Sequence, residues 1–334
     1  MEFTAGGRLE VRITPADVGK RVSVRCLTGP GAGTEKFTDT VGVLTSWYEG
    51  VLLITRRSGD SVRIPESSLV AGKVVPSAPA RRRGPAADFA ELARVIARSW
   101  QPVESERLGE WELRASSGFT RRANSVLPLG DPGLPLDDAL ERVREWYGRR
   151  SLPPYIQTST GAAGTQEELC AQLEARGWLR EVSAEVRTGG LAPVGDLDAD
   201  VSAVRLARSV DEAWLRRYQR SVSPGPHVLR VLESGPSVWF AAVPGQGGPG
   251  DAPAAIGRCV VDGRWAGFMA VEVAPEARRL GLATAVMTAL ARRALEEGAS
   301  AAWLQVESDN EGARALYEGM GFTVHHRYHH FRSA

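Results

Sequence analysis

The chain has 334 residues, enough for two or three domains that each bury a core, and its 43% hydrophobic and 24% charged content is ordinary for a globular protein. A net charge of +1 excludes a global field that would draw the protein to nucleic acid or to an anionic membrane. No run approaches about 18 apolar residues, and the opening MEFTAGGRLEVRIT lacks a basic start followed by an apolar stretch, which predicts a cytoplasmic protein with no membrane span. Cys26, Cys170 and Cys259 lie far apart without CxxC spacing, and Cys26 and Cys259 sit in apolar runs, so they read as small buried hydrophobes.

From residue 20 the chain reads as all-β. Runs at 20–27, 40–47, 51–57 and 61–65 are rich in Val, Ile, Leu and Thr. Turn signals separate them at Gly29-Pro30-Gly31-Ala32-Gly33, Glu49-Gly50 and Ser58-Gly59-Asp60. Four or five short strands in so small a segment need closure to satisfy their edges, which predicts a small barrel. The pattern resembles an SH3-like barrel over residues 1–76. Residues 77–87 predict a linker of Pro, Ala and Arg, and the run Arg81-Arg82-Arg83 reads first as solvated charge.

Residues 88–195 predict helices over 88–100, 137–149 (capped by Asp137) and 165–176 (capped by Thr165, with Glu168 three residues on). Strands are predicted at 110–115, 119–127 and 155–160, with a loop over 128–136. Residues 196–334 predict strands at 203–207, 238–243, 254–261, 265–273, 301–307 and 322–332. Helices are predicted over 210–221, 282–298 and 311–320, and 246–251 reads as a loop. The two halves share features: LCAQLEARGW, ending on Gly177-Trp178, is similar to ARALYEGMGF, ending on Gly321-Phe322. This predicts a tandem duplication.

The chemistry concentrates at Val273-Ala274-Pro275-Glu276-Ala277-Arg278-Arg279-Leu280-Gly281-Leu282-Ala283, where a strand feeds a helix. The unpaired N–H groups and dipole of a helix start favour an anion. Gly281 lets the backbone approach a ligand, and Arg278 and Arg279 add charge. The segment resembles motif A of the GNAT N-acetyltransferase superfamily, Gln/Arg-x-x-Gly-x-Gly/Ala, through Arg278, Gly281 and Ala283. A second motif of that superfamily, Asn-x-x-Ala-x-x-Leu-Tyr-x-x-x-Gly-Phe, is matched from Asn310 to Phe322.

The resemblance implies an α/β GNAT fold that uses acetyl-CoA as co-substrate. The backbone around Val273 is then expected to bind the pantetheine arm, with Asn310 assisting. Arg278, Arg279, Leu280, Gly281, Leu282, Ala283 and Thr284 are expected to hold the pyrophosphate. Tyr317 is the expected acid for the departing thiolate, a role suited to a phenol that stays protonated at neutral pH. Glu272 is the first candidate for the base and Glu307 the second. Residues 88–195 lack motif A: residues 127–136 read LPLGDPGLPL, and Leu173 stands where Tyr317 stands in the other half. They are read as a degenerate GNAT half that shapes the acceptor cleft, with residues 196–334 as the catalytic domain. The run Gly118-Phe119-Thr120-Arg121-Arg122-Ala123-Asn124-Ser125 resembles the first halves of some tandem actinobacterial acetyltransferases.

His325, His326, His329 and His330 crowd one predicted strand, but no cysteine or acid completes a zinc set, so no metal is expected. The implied reaction is direct acetyl transfer to a primary amine in a ternary complex. Two readings compete with it. One is a non-catalytic acyl-CoA sensor; the other makes the barrel a recruiter that contacts protein or nucleic acid.

Overall fold

The computed structural model describes residues 10–27, 37–56, 58–75, 85–218, 225–245 and 250–334. The turn at 29–33, most of the linker at 77–87 with its arginine run, the end of the helix read over 210–221 and most of the loop at 246–251 lie outside the described residues. Strands in chain order are β1 (Arg21–Leu27), β2 (Phe37–Tyr48), β3 (Val51–Thr55), β4 (Ser61–Pro65), β5 (Leu69–Val74), β6 (Glu104–Leu108), β7 (Trp111–Ala115) and β8 (Leu127–Pro128). They continue as β9 (Tyr155–Thr160), β10 (Leu179–Gly190), β11 (Arg205–Ala207), β12 (Ser237–Val243), β13 (Ala255–Asp262), β14 (Trp265–Val273), β15 (Ala301–Glu307) and β16 (Thr323–Arg332). Helices are α1 (Phe89–Arg98), α2 (Leu136–Gly148), α3 (Glu167–Ala175), α4 (Ala192–Gly195), α5 (Glu212–Arg217), α6 (Pro226–Leu232), α7 (Leu282–Glu296) and α8 (Glu311–Gly319). Two compact units result, one of Met1–Ala80 with Thr158–Leu179 and Ala334, the other of Arg81–Gln157 and Arg180–Ser333.

In the first unit, β1 shows how sequence becomes sheet. Val22, Val24 and Cys26 are buried while Ser23 and Arg25 alternate with them on the other face. The buried set joins Ile13, Leu44, Leu52, Ile54 and Ile64 in one core, each side chain contributing about 1.5–3 kcal/mol on burial. The sheet order is β4-β3-β2-β1-β5. The expected closed barrel is therefore corrected: among the described residues the ladder is open, with β4 and β5 at its two ends. Gly72 of β5 is met instead by Val11, and the Arg12 N–H donates to the Gly72 carbonyl at 2.7 Å, so the chain's own start occupies that edge. Helix α3, read from sequence as part of the middle segment, packs on β2 and β3.

The second unit is built on an eight-stranded sheet, β11-β12-β13-β14-β15-β10-β16-β9. β13 is buried on both faces. Ile256 and Val260 enter one core with Leu92 and Val95 of α1, Trp214, Trp265 and Trp303. Ala255, Cys259 and Val261 enter the other with Val286, Met287 and Leu290 of α7. β10, which the sequence pattern does not mark as a strand, lies between β15 and β16, and its Ala184 and Val186 enter the first core. Thus α1 and β10, from the segment read as a separate half, complete the sheet and core of the segment read as catalytic. β6 also went unread, because its ESERL sequence carries little apolar alternation.

Three local readings are corrected. Residues 119–127 are not one strand; Arg121–Ala123 is a 3-10 turn, Leu127 and Pro128 pair with Glu112 and Trp111, and Val126 forms a single bridge to Ile156. The cause is Asn124. Its Oδ1 accepts from the N–H groups of Ser116 (2.8 Å) and Gly118 (3.0 Å), and its Nδ2 donates to the carbonyls of Phe119 (2.7 Å) and Thr120 (2.9 Å), replacing ladder bonds. Helix α2 starts after Pro135, so Asp137 lies in its first turn, where it favours the dipole without capping. Gln166 is the N-cap position of α3, while Thr165 donates to the Ala162 carbonyl at 2.6 Å in the preceding turn.

The ends of α8 follow from its residues. Asn310 Oδ1 accepts from the Ala313 N–H at 3.1 Å, capping the start. At the close, Gly321 has φ +89°, and the Phe322 N–H donates back to the Tyr317 carbonyl at 3.0 Å. A left-handed residue followed by a buried aromatic is what this cap requires.

Candidate active site

β14 and β15 run parallel from Trp265–Ala301 to Phe268–Leu304 and then part. On its other side β14 is bulged: Met269 faces Arg258 and Glu272 faces Ile256, leaving Ala270 and Val271 opposite Gly257 alone. Ala270 takes φ +52°, a left-handed conformation unusual for a residue bearing a Cβ. The bulge turns β14 as it leaves β15. The gap opens a cleft of about 390 Å³. Met269 to Glu272 line one side of it, Gln305 to Glu307 another, and Asn310, Ala313 and Tyr317 of the α8 region a third.

Beyond Val273 the chain passes through a 3-10 turn, Pro275–Ala277, and reaches α7 through Arg279 at φ +62° and Gly281 at φ +76°. Gly281 is the N-cap position, and no side chain caps the helix. Its first-turn N–H groups are thus left to solvent or a ligand. Leu280 is 69% exposed, and Arg278 and Arg279 are exposed and form no ion pair among the described residues. Of the residues read from sequence, Glu272, Glu307, Asn310 and Tyr317 line the cleft together. Val273 and the stretch Arg278 to Thr284 lie outside its lining, at the strand end and helix start.

Tyr317 is buried, its ring set edge-on to Phe322 at 6.2 Å, and burial pushes its phenol up to about 12. It therefore remains a proton donor across the physiological range. Glu307 pairs with Ala184 of β10 and is exposed; Glu272 is half-buried.

The structure adds residues that the motifs did not name. Thr120, Arg121, Arg122, Tyr218, Tyr328 and His330 line the cleft. Arg121 and Arg122 come from the Gly118–Ser125 run, whose Asn124 stands behind them as the internal staple described above. On β10 itself Glu185 is fully buried and paired with Arg187 (2.7 Å), Arg327 (3.2 Å) and Arg314 of α8 (3.4 Å). Desolvation would raise its carboxyl, but Arg187, Arg314 and Arg327 together hold it below the usual carboxylate value. The signal for this cluster was the alternation Ala184-Glu185-Val186-Arg187, which on its own reads as a half-exposed strand.

The histidines are mostly interior. His329 Nδ1 shares a hydrogen bond with Ser183 Oγ at 2.7 Å, and His325 with His326 at 2.8 Å. Burial, then the nearby arginines Arg114, Arg122 and Arg121, pull His330 well below the ordinary histidine value, so it stays neutral. Among the described residues no group of three or more His, Cys, Asp or Glu is placed to hold a metal ion. All three cysteines are buried, and burial pushes Cys259 up to about 12. No helix among the described residues is long and apolar enough to cross a membrane.

The family model described as "Probable histone acetyltransferase Rv0428c C-terminal" matches residues 86–331. The chain belongs to this family, within the GNAT superfamily. It is 27% identical over 319 residues to the probable histone acetyltransferase Rv0428c of Mycobacterium tuberculosis, covering 92% of this chain and 93% of that protein. It is 24% identical over 260 residues to the uncharacterized N-acetyltransferase YobR of Bacillus subtilis, covering 73% of this chain and 98% of that one. Among solved structures, a GCN5-related N-acetyltransferase from Kribbella flavida aligns with a TM-score of 0.53 at 16% identity, covering 74% of this chain and 96% of that one. A tandem GNAT protein of the clavulanic acid pathway aligns with a TM-score of 0.50 at 12% identity, covering 76% and 90%. These two likenesses concern the fold.

Proposed function

We propose that the chain transfers an acetyl group from acetyl-CoA to a primary amine by direct attack. The observation that carries this reading is the position of Tyr317, a buried phenol lining the cleft that opens where β14 and β15 part. The edges of the parted strands suit the amides of a pantetheine arm, with Asn310 beside them. The first turn of α7, with Arg278 and Arg279, suits a pyrophosphate: helix N–H groups, a left-handed Gly281 and two unpaired cations.

In this reading the amine's lone pair attacks the thioester carbonyl carbon while Glu272, or Glu307 in second place, accepts the amine's proton. The C–S bond breaks, and Tyr317 donates its hydroxyl proton to the departing thiolate; water then restores the phenol. Residues 196–334 supply this machinery. The degenerate half read at 88–195 supplies the acceptor wall through Arg121 and Arg122, and residues 1–76 form a small β domain.

The name of the M. tuberculosis relative makes protein lysine one acceptor to try. Purified protein, acetyl-CoA and a panel of amines, assayed for free CoA thiol, test the reading. Thiol release that requires both an amine and Tyr317 supports it. Acetyl-CoA binding without release for any amine would turn it toward the sensor.

A further inference from the structure

We propose that the acceptor amine also carries a carboxylate and that Arg122 binds it at the inner wall of the cleft. This rests on the transferase reading and deepens it.

Arg122 is a held cation without a counter-charge. Its Nη1 donates to Gln305 Oε1 at 2.6 Å, and its guanidinium lies over the Trp100 ring at 5.1 Å. These contacts fix its position, but among the described residues it pairs with no carboxylate, although it is half-buried in the cleft wall. Its neighbours sharpen the contrast. Arg121 has Glu181 at 3.7 Å. Arg258, which shares the Trp100 ring at 4.9 Å, donates to the carbonyls of Leu232, Ser99 and Ser234. Arg114 is likewise engaged with the Ser125 carbonyl, Ser125 Oγ and Gln157. Arg114 and Arg258, which hydrogen-bond neutral groups, add their charge to that of Arg122, and His330 stays neutral, so this inner end of the cleft favours an anion while Glu272 and Glu307 line it elsewhere.

The loop that presents Arg122 is rigid and strained. Thr120 is held at φ +56°, a conformation that costs of order 1–3 kcal/mol in a residue with a Cβ. The four bonds of Asn124 enforce it, and Trp100 Nε1 donates to Thr120 Oγ1 at 2.9 Å. Strain maintained by this many partners is a mark of a pre-organised binding loop. The planar guanidinium matches a carboxylate through two parallel N–H donors. Glu272 and Glu307, also in the cleft lining, suit the ammonium end of the same molecule. A molecule with an amine at one end and an acid at the other answers both.

The test is a matched series: ω-amino acids with two to five methylenes, the primary amide of each, and a neutral lysine-containing peptide, all assayed for CoA thiol release. The wild-type chain should prefer the best acid over its amide by about 10-fold or more in kcat/KM, the worth of one charge-assisted contact. Arg122→Gln should remove that preference, slowing the best acid about 10-fold more than it slows the matching amide. Arg122→Lys should keep part of it. Thermal melting and acetyl-CoA affinity of the variants check that the fold is intact, and the wild-type comparison needs no variant. Equal rates for acids and amides, or a peptide better than every acid, would overturn the proposal. So would an Arg122→Gln variant that slows acid and amide alike, which would put Arg122 at the thioester. Failure of every amine to raise thiol release above the amine-free rate removes the transferase reading, and this inference with it.

Discussion

Phe268 faces Leu304 across the last rung that β14 and β15 share, and beyond it the two strands part. A ligand arm lying in that gap would be held by main chain, which side-chain substitution barely touches. The charged end of the ligand is the better target. Replacing both Arg278 and Arg279 by Ala should weaken acetyl-CoA binding about 10-fold or more, read by calorimetry, with one site per chain in the wild type. The melting temperature should stay nearly constant, because neither side chain is paired or buried. Unchanged affinity would place the pyrophosphate elsewhere.

Tyr317→Phe removes one hydroxyl and leaves the ring against Phe322. The variant should lose roughly 10²-fold or more in kcat, the usual range for a positioned acid, while acetyl-CoA affinity holds. A variant with wild-type kcat would assign the proton to another donor.

The same phenol predicts an alkaline stability loss. Its folded value, about 12, is raised above an unfolded value near 10, so its contribution is complete below pH 10 and is lost as pH rises toward 12. The loss is on the order of 2 kcal/mol. Urea unfolding from pH 8 to 11.5 should show a steeper decline in the wild type than in Tyr317→Phe, whereas parallel curves would mean that the phenol ionises freely in the fold.

Glu185 holds three arginines to one strand. Glu185→Gln should cost about 3–5 kcal/mol, since Arg187 is then buried without its partner. Because the folded carboxyl is depressed, its contribution is present above the unfolded value near 4.5 and lost as pH falls through the lower folded one. The variant should therefore lose part of the wild type's destabilisation below about pH 4.5, measured by thermal melts across that range. A melting temperature equal to the wild type at pH 7 would show that the arginines find other partners.

How legible the fold was in the sequence depended on how local its causes were. Helix α8 was readable because Asn310 and Gly321-Phe322 set its ends within one segment. Gly177 and Trp178 close α3 in the same way, with the Trp178 N–H donating to the Leu173 carbonyl at 3.0 Å, so part of the similarity between the two helices is the chemistry of a shared cap. The strand at 119–127 was misread because four bonds to one side chain, Asn124, outweigh strand propensity. Arg122 was visible as a residue, but its fixed, unpaired state depends on Trp100 and Gln305, which periodicity does not connect to it. β10 was missed because its buried charges at Glu185 and Arg187 look like solvent-facing positions until the arginines of α8 and β16 are placed around them.

The place of β10 also sets a problem of timing. It ends at Gly190, while β15 begins at Ala301 and β16 at Thr323, so about 110 residues must follow it before its first neighbour exists. At ribosomal rates of about 5–20 residues per second, β10 waits on the order of 5 to 20 seconds with both ladder edges open. Two open edges invite pairing with other nascent chains, and the charged Glu185 and Arg187, costly inside a foreign sheet, discourage it. The residues that lock the finished sheet would thus also guard the unfinished one during synthesis.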